Sequence, residues 1–299
     1  MPGPGAGAAE WDARLSVPGS PVCAPDWLAL REGADAAARS SELVERLRAH
    51  LETTVPAGEP AIITDLGCGT GSMGRWLAGR LPGPQLWILR DRDPVLLARA
   101  AADMPNGAAD GASVEVRTQQ GDFTDLRAAE LTETALVTTS AVLDLLTSEE
   151  MDALAATSVE AGCPALLTLS VVGRVEFAPS DALDAEFAAA FDAHQRRPEG
   201  GRRMLGPDAG RAAVDAFAKR GATVASRPSP WRLGPARAGG AELVEEWLRG
   251  WISAACEQEP GLQRHAPAYL RRRLDSCATG DLRVEVGHLD VLAIPAGGP

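Results

Sequence analysis

Short apolar runs alternate with helical stretches through the middle of the chain. AIITDL, QLWILR, SVEVRTQ, ALVTTS and PALLTLSVV are each of strand length, and stretches around 72–80, 94–104, 124–131 and 148–161 have helical character between them. Strands and helices in this rhythm predict an α/β fold with a doubly wound, mostly parallel sheet. Thr147 and Glu150 have the spacing of a capping box for the last of these helices. Ahead of the first strand, Asp26 to about Thr53 has one helical period, with Leu43, Leu47 and Leu51 on a stripe, and Pro56 to Pro60 end it.

After Val172 the rhythm breaks. Residues 173–206 are too many for a strand-to-helix turn and predict helical cap material. GPDAGRAAVDAFAKRG returns as a helix, ATVASRPS as a strand, 240–275 as two helices, and DLRVEVGHLDVLAIP as one strand or a bent pair. The chain thus divides into a frayed tail (1–22), an N-terminal helical segment (23–57), a ligand-binding core (58–172), a cap insertion (173–206) and a closing part (207–299) with its own helical insertion at about 234–281.

TDLGCGTGSMGRWL, Thr64 to Leu77, sets four glycines in eight residues where the first strand hands over to a helix. Glycines there allow left-handed backbone and a close approach to a ligand, as in NAD enzymes and S-adenosylmethionine (SAM) methyltransferases. The neighbours discriminate. Asp65 completes D-x-G-x-G-x-G through Gly71. A carboxylate at that turn suits the cationic amino and sulfonium end of SAM and repels a pyrophosphate. Asp91, after the second strand, can accept two ribose hydroxyls. Asp122, with Phe123 beside it, can meet an adenine amino group and cover the ring edge.

These motifs resemble those of the class I SAM-dependent methyltransferases, over roughly residues 58–172. DLGCGTGSMG resembles their motif I, Asp91 the ribose-binding acid of motif II, and GDF the adenine-contacting motif III. The resemblance implies a Rossmann-like core that binds SAM and releases S-adenosylhomocysteine (SAH). The implied cofactor contacts are Asp65, Gly67, Cys68, Gly69, Gly71, Asp91, Arg92, Asp122, Phe123 and Ser140. LVTTSAVLDLLTSEE is similar to the segment after strand four in small-molecule members, which sets Asp144 at the active-site mouth. No NPPY-type tetrad follows strand four, which argues against methylation of DNA bases, and the insertions are longer than the core requires.

Methyl transfer is an in-line displacement that often needs a proton removed from the acceptor. Among the four histidines, His50 and His288 read as structural, and His265 as a cap at a helix start. His194, in FDAHQRRPEGGRRM after the fifth strand, is the catalytic candidate together with Asp144. Arg31, Trp231 and Arg197 are the substrate-binding candidates. The loop arginines carry less weight than their number suggests, because Lys219 is the single lysine and arginine supplies almost every positive charge.

Composition narrows the partners. A net charge of −12 gives no general footprint for phosphate backbones or anionic membranes. Cys23, Cys68, Cys163, Cys256 and Cys277 are scattered without metal-ligand spacing, so neither a disulfide framework nor a bound metal is expected. With no signal-peptide pattern and no apolar run of membrane-spanning length, the reading is a cytoplasmic protein, monomer or homodimer. The resemblance implies that it transfers a methyl group to a small-molecule acceptor. An NAD(P)-dependent oxidoreductase and a catalytically silent SAM-binding module remain as alternatives.

Overall fold

The computed structural model describes residues 24–199 and 201–296; the expected tail and Cys23 lie outside them. The elements run α1 (Pro25–Ala38), α2 (Ser41–Thr54), β1 (Ala61–Leu66), α3 (Ser72–Ala78), β2 (Gln85–Asp91), α4 (Pro94–Ala102), β3 (Val114–Gln120), β4 (Leu136–Ser140) and α5 (Ser148–Glu160). They continue with β5 (Ala165–Ala178), α6 (Asp184–Gln195), a hairpin of β6 (Pro198–Glu199) and β7 (Arg202–Arg203), α7 (Ala209–Lys219), β8 (Thr223–Pro228), β9 (Trp231–Leu233), α8 (Gly240–Gln258), α9 (Ala266–Ala278) and β10 (Arg283–Ile294).

The main sheet has the order β3-β2-β1-β4-β5-β10-β8, with β9 pairing β10. Neighbours from β3 to β5 are parallel, whereas β10 is antiparallel to both β5 and β8. This is the open, doubly wound Rossmann-like sheet that the alternation predicts. One face carries α2, α3 and α4 through Leu43, Leu47, Leu77, Leu97 and Trp87. The other carries α5 and α7 through Met151, Leu154, Ala213 and Phe217. The capping box of α5 is present, with Thr147 and Glu150 bonded reciprocally.

Three expectations need correction. The stretch from Asp26 to Thr53 is two helices, broken at Arg39 and Ser40: the Ser40 side chain caps α2 and its N–H donates to Asp290 Oδ2 at 2.8 Å. Residues 124–131 form two short 3₁₀ turns, Phe123–Asp125 and Ala128–Leu131; Leu126 and Leu131 are too few apolar positions for a helical stripe. The cap also begins as strand. β5 runs on to Ala178, because Val171, Gly173, Val175 and Phe177 keep a period of two.

That extension pairs with β10, whose next strand here is β9. Trp231, Val286 and Val175 stand in one row across it, and Leu233, Val284 and Phe177 in the next. This apolar side packs under α8 and α1 with Leu243, Val244, Leu248 and Ala34. The other side carries exposed ion pairs, Arg174–Glu176 and Arg232–Glu285. Between the two parts of β10 the register shifts at Gly287, where a Cβ would lie 2.8 Å from Val172 Cγ2. Over α8 sits a second cluster, with Trp251, Phe187 and Tyr269 at its centre.

Candidate functional site

The carboxyl ends of β1, β2 and β4 converge on the glycine turn. Gly67, Gly69 and Gly71 all have positive φ, at 61°, 55° and 85°. The turn is also crowded: a Cβ on Gly71 would stand 3.1 Å from the Cβ of Ala100, and one on Gly69 3.3 Å from Leu28. Three of its N–H groups bond within the protein. Cys68 donates to Arg90 O, Gly69 to Asp91 Oδ2 at 2.9 Å, and Gly71 to Cys68 O. Cys68 is buried, which pushes its thiol well above the ordinary range.

Asp65 is 1% exposed. Its Oδ1 accepts from Thr138 Oγ1 at 2.7 Å, while its buried Oδ2 has no hydrogen-bond partner. Burial pushes this carboxyl up to about 7, with Thr138 and the charge of Arg39 opposing. An uncompensated carboxylate oxygen inside a protein is costly unless a cation or donor meets it.

Asp91 uses one oxygen on Gly69 and the other on the N–H of Asp93 at 3.0 Å, which ties the end of β2 to the turn. Each carboxylate oxygen retains a further lone pair for a ligand hydroxyl. Arg92 is exposed beside it. Asp122 caps the turn after β3 by accepting from Thr124, and its own carbonyl accepts from buried Arg90 at 3.0 Å. Phe123 is half-buried and lies against Gly67. All three sequence-predicted acids therefore sit at or just past the carboxyl ends of the adjacent strands β1, β2 and β3. Ser140, at the end of β4, accepts from Arg39 at 3.0 Å.

A second group of side chains gathers around α1. Asp35, 4% exposed, takes a two-pronged contact from Arg31 (3.0 and 3.2 Å) and the indole N–H of Trp231 at 2.9 Å. The Arg31 guanidinium lies 4.9 Å from the centre of the Trp231 ring, and His288 packs on that ring at 5.3 Å. Burial pushes His288 down to about 4, and the positive charge of Arg31 adds to the shift. Asp144 follows Leu143 in a 3₁₀ turn after β4. Burial raises its carboxyl to about 6, against the pull of Arg31. Arg31, Trp231 and Asp144 are thus electrostatically or physically linked, as candidates for one site should be.

His194 and Arg197 have other partners. Both reach Glu257 Oε2 on α8, at 3.0 Å each. They belong to an ion cluster that joins α6 to α8. His265, at the start of α9, makes no side-chain cap; its Nε2 accepts from Arg264. Sequence reasoning missed Asp35 and Arg39 and set His288 aside as structural. The signal for the first two was present: Arg31, Asp35 and Arg39 recur at a spacing of four along one helical stretch. His288 carries no such mark, because its place depends on the bulge in β10.

No group of His, Cys, Asp and Glu able to hold a metal occurs among the described residues. Among them, too, no helix is long and apolar enough to cross a membrane.

Residues 63–161 match a family model described as a methyltransferase domain. Solved structures similar to the chain include the cyclopropane synthase MmaA2 from Mycobacterium tuberculosis, at 14% identity over 91% of this chain and 94% of that one, TM-score 0.43. Another is a geranyl diphosphate C-methyltransferase from Streptomyces coelicolor A3(2), at 12% identity over 86% and 79%, TM-score 0.42. A third is a putative sarcosine dimethylglycine methyltransferase from Galdieria sulphuraria, at 13% over 89% and 96%, TM-score 0.41. No curated protein matches the chain.

Proposed function

We propose that residues 63–161, which match a methyltransferase-domain model, form a class I SAM-dependent methyltransferase domain, and that the chain transfers a methyl group from SAM to a small-molecule acceptor. The main support is Oδ2 of Asp65, a buried carboxylate oxygen without a partner at the glycine turn. It is placed to take the ammonium of the cofactor's amino-acid end. Asp91 would hold the ribose hydroxyls, and Asp122 with Phe123 the adenine edge. The glycines let the chain turn at positive φ in a space where a Cβ would crowd Leu28 and Ala100. A dinucleotide fits less well. Its pyrophosphate needs free N–H groups at the turn, and those of Cys68, Gly69 and Gly71 are already engaged.

When bound, SAM supplies an electrophilic methyl group on a sulfonium, and SAH remains. The chain's part is to align the acceptor, exclude water and accept a proton. Asp144 is the best base in reach: its carboxyl, raised to about 6, is ionised at neutral pH yet basic enough to take a proton. Arg31, fixed by Asp35 and Trp231, would orient the acceptor beside it. His194, committed to Glu257, is the weaker candidate. Calorimetry tests the cofactor assignment: SAM and SAH should bind, and NAD and NADP should not. Selective binding of a nicotinamide cofactor would overturn the proposal. Labelled SAM with a metabolite extract would then identify the acceptor.

A further inference from the structure

Arg39 lies where α1 ends, between the two groups of side chains described above. Its guanidinium is 4% exposed. Nη1 donates to Ser72 O at 3.4 Å, and Nη2 to Ser72 Oγ at 3.1 Å and Ser140 Oγ at 3.0 Å. Ser72 opens the helix after the glycine turn and Ser140 ends β4, so this one side chain holds both rims of the cofactor cleft. The plane packs over Trp76 at 5.4 Å. Asp35, Asp290 and Asp65 surround it with negative charge.

The backbone around Arg39 is fixed just as firmly. Its N–H closes α1 on Asp35 O, and the next N–H, of Ser40, donates to Asp290. Asp290 is itself buried and accepts from Leu169 N at 2.8 Å and Ser229 Oγ at 2.6 Å. On α1, Leu28 and Glu32 face the cofactor turn, Glu32 through a two-pronged pair with Arg75 at 2.6 and 2.7 Å. Arg31 and Asp35 face Trp231. A single helix therefore touches the cofactor turn on one stripe and the proposed acceptor wall on another.

A buried guanidinium is a poor way to gain stability, because apolar residues of equal volume often do as well. Retaining one here calls for a task. We propose that Arg39 is a positioning residue that transmits occupancy of the cofactor turn through α1 to the acceptor wall. Cofactor seated against the turn would fix Ser72 and Ser140, and these would fix Arg39 and the end of α1. Asp35 and Arg31, one and two turns back, would then be set before the acceptor arrives. The inference rests on the methyltransferase reading.

Hydrogen exchange with SAH as the probe tests it. At saturating SAH, the amides of residues 36–41 should exchange at least about tenfold more slowly than in the free protein, the scale of a charge-assisted bond. In Ser72→Ala and Ser140→Ala, still saturated with SAH, that protection should be largely lost, while each free protein keeps a single cooperative melt at a modestly lowered temperature. Arg39→Lys, which keeps the charge but cannot reach both serines together, should behave like the serine variants. Protection at 36–41 that is absent in the wild type with SAH bound, or that persists in both serine variants, overturns the role of Arg39. Failure of the wild type to bind SAH at all would instead remove the methyltransferase reading.

Discussion

The glycine turn and the cap are both built around charged side chains, but they are built differently. At the turn, acids bond to backbone N–H groups of their own or a neighbouring loop: Asp91 to Gly69, Asp122 to Thr124. In the cap, long side chains reach across helices, as Arg197 and His194 do to Glu257 and Arg273 to Asp184. The turn's requirements follow from local backbone geometry, so they leave residue-by-residue marks. The cap's requirements can be met by many side chains of sufficient reach, so they leave few. One region is set by local backbone geometry, and the other by packing.

The largest effect should come from Asp65. If its free oxygen meets a cationic group of the cofactor, Asp65→Asn should weaken SAH binding by at least about a hundredfold, the scale of removing one member of a buried ion pair. Calorimetry at pH 7.5 measures it. The same carboxyl fixes the sign of a stability change. Its folded value, about 7, lies above its ordinary 3.8. The stability it contributes at low pH is thus lost as pH rises through about 7. Free Asp65→Asn should therefore melt above the wild type at pH 8 and less so at pH 5.5. Equal SAH affinity in the variant would make the turn a packing device like the cap.

Next comes Asp144, on the border of the two regions. Asp144→Asn should lower methyl transfer from labelled SAM by about a hundredfold or more, within the range of general-base catalysis, with SAH affinity unchanged. In the wild type the rate should fall as pH drops below about 6, when the carboxyl takes up a proton. The variant should lack that limb. A wild-type rate independent of pH between 5 and 7.5 would show that the acceptor needs no base from this residue.

How far each region could be read in the sequence follows the same division. The alternation of strands and helices, the buried stripe of Leu43, Leu47 and Leu51, and the capping box of Thr147 and Glu150 all depend on local periodicity, and all were legible. So were the three acids of the turn as neighbours, because each stands at or just past the carboxyl end of a strand in a parallel sheet. The strand extension to Ala178 was not, since its pairing partner, Arg283–Val286, lies more than a hundred residues away. Asp35 was hidden differently: a buried acid in an alanine-rich helix looks like a surface charge until Trp231 is brought against it. His194 was marked by its place after the fifth strand, and that place gave no hint of Glu257.

Asp91 measures how much of the turn's order belongs to the ligand. Asp91→Ala removes the proposed ribose contact and also the bonds to Gly69 and Asp93. SAH affinity should fall about tenfold or more, the value of one or two hydrogen bonds to a charged group. Asp93→Ala is the control. That residue caps α4 by accepting from Val95 and Leu96, outside the turn. Its loss should lower the melting temperature by the stability of one cap, about 1 kcal/mol, and leave affinity nearly intact. A larger loss of affinity in Asp93→Ala than in Asp91→Ala would move the ribose contact to Asp93.

The smallest effect is expected at His194, where the comparison is sharpest. If the cap is packing, His194→Ala removes one partner of a half-exposed carboxylate that Arg197 still satisfies. Such a pair is worth about 0–1 kcal/mol, so methyl transfer should stay within about fivefold of the wild type and SAH affinity should not move. Glu257→Gln gives the converse variant. It keeps the shape but removes the charge, and should loosen the contact of α6 with α8 slightly, read as a small drop in melting temperature. A loss in His194→Ala of the size expected for Asp144→Asn, with Glu257→Gln showing the same loss, would mean that the pair orients a catalytic imidazole. The cap would then carry chemistry, and the division drawn between the two regions would fail at this residue.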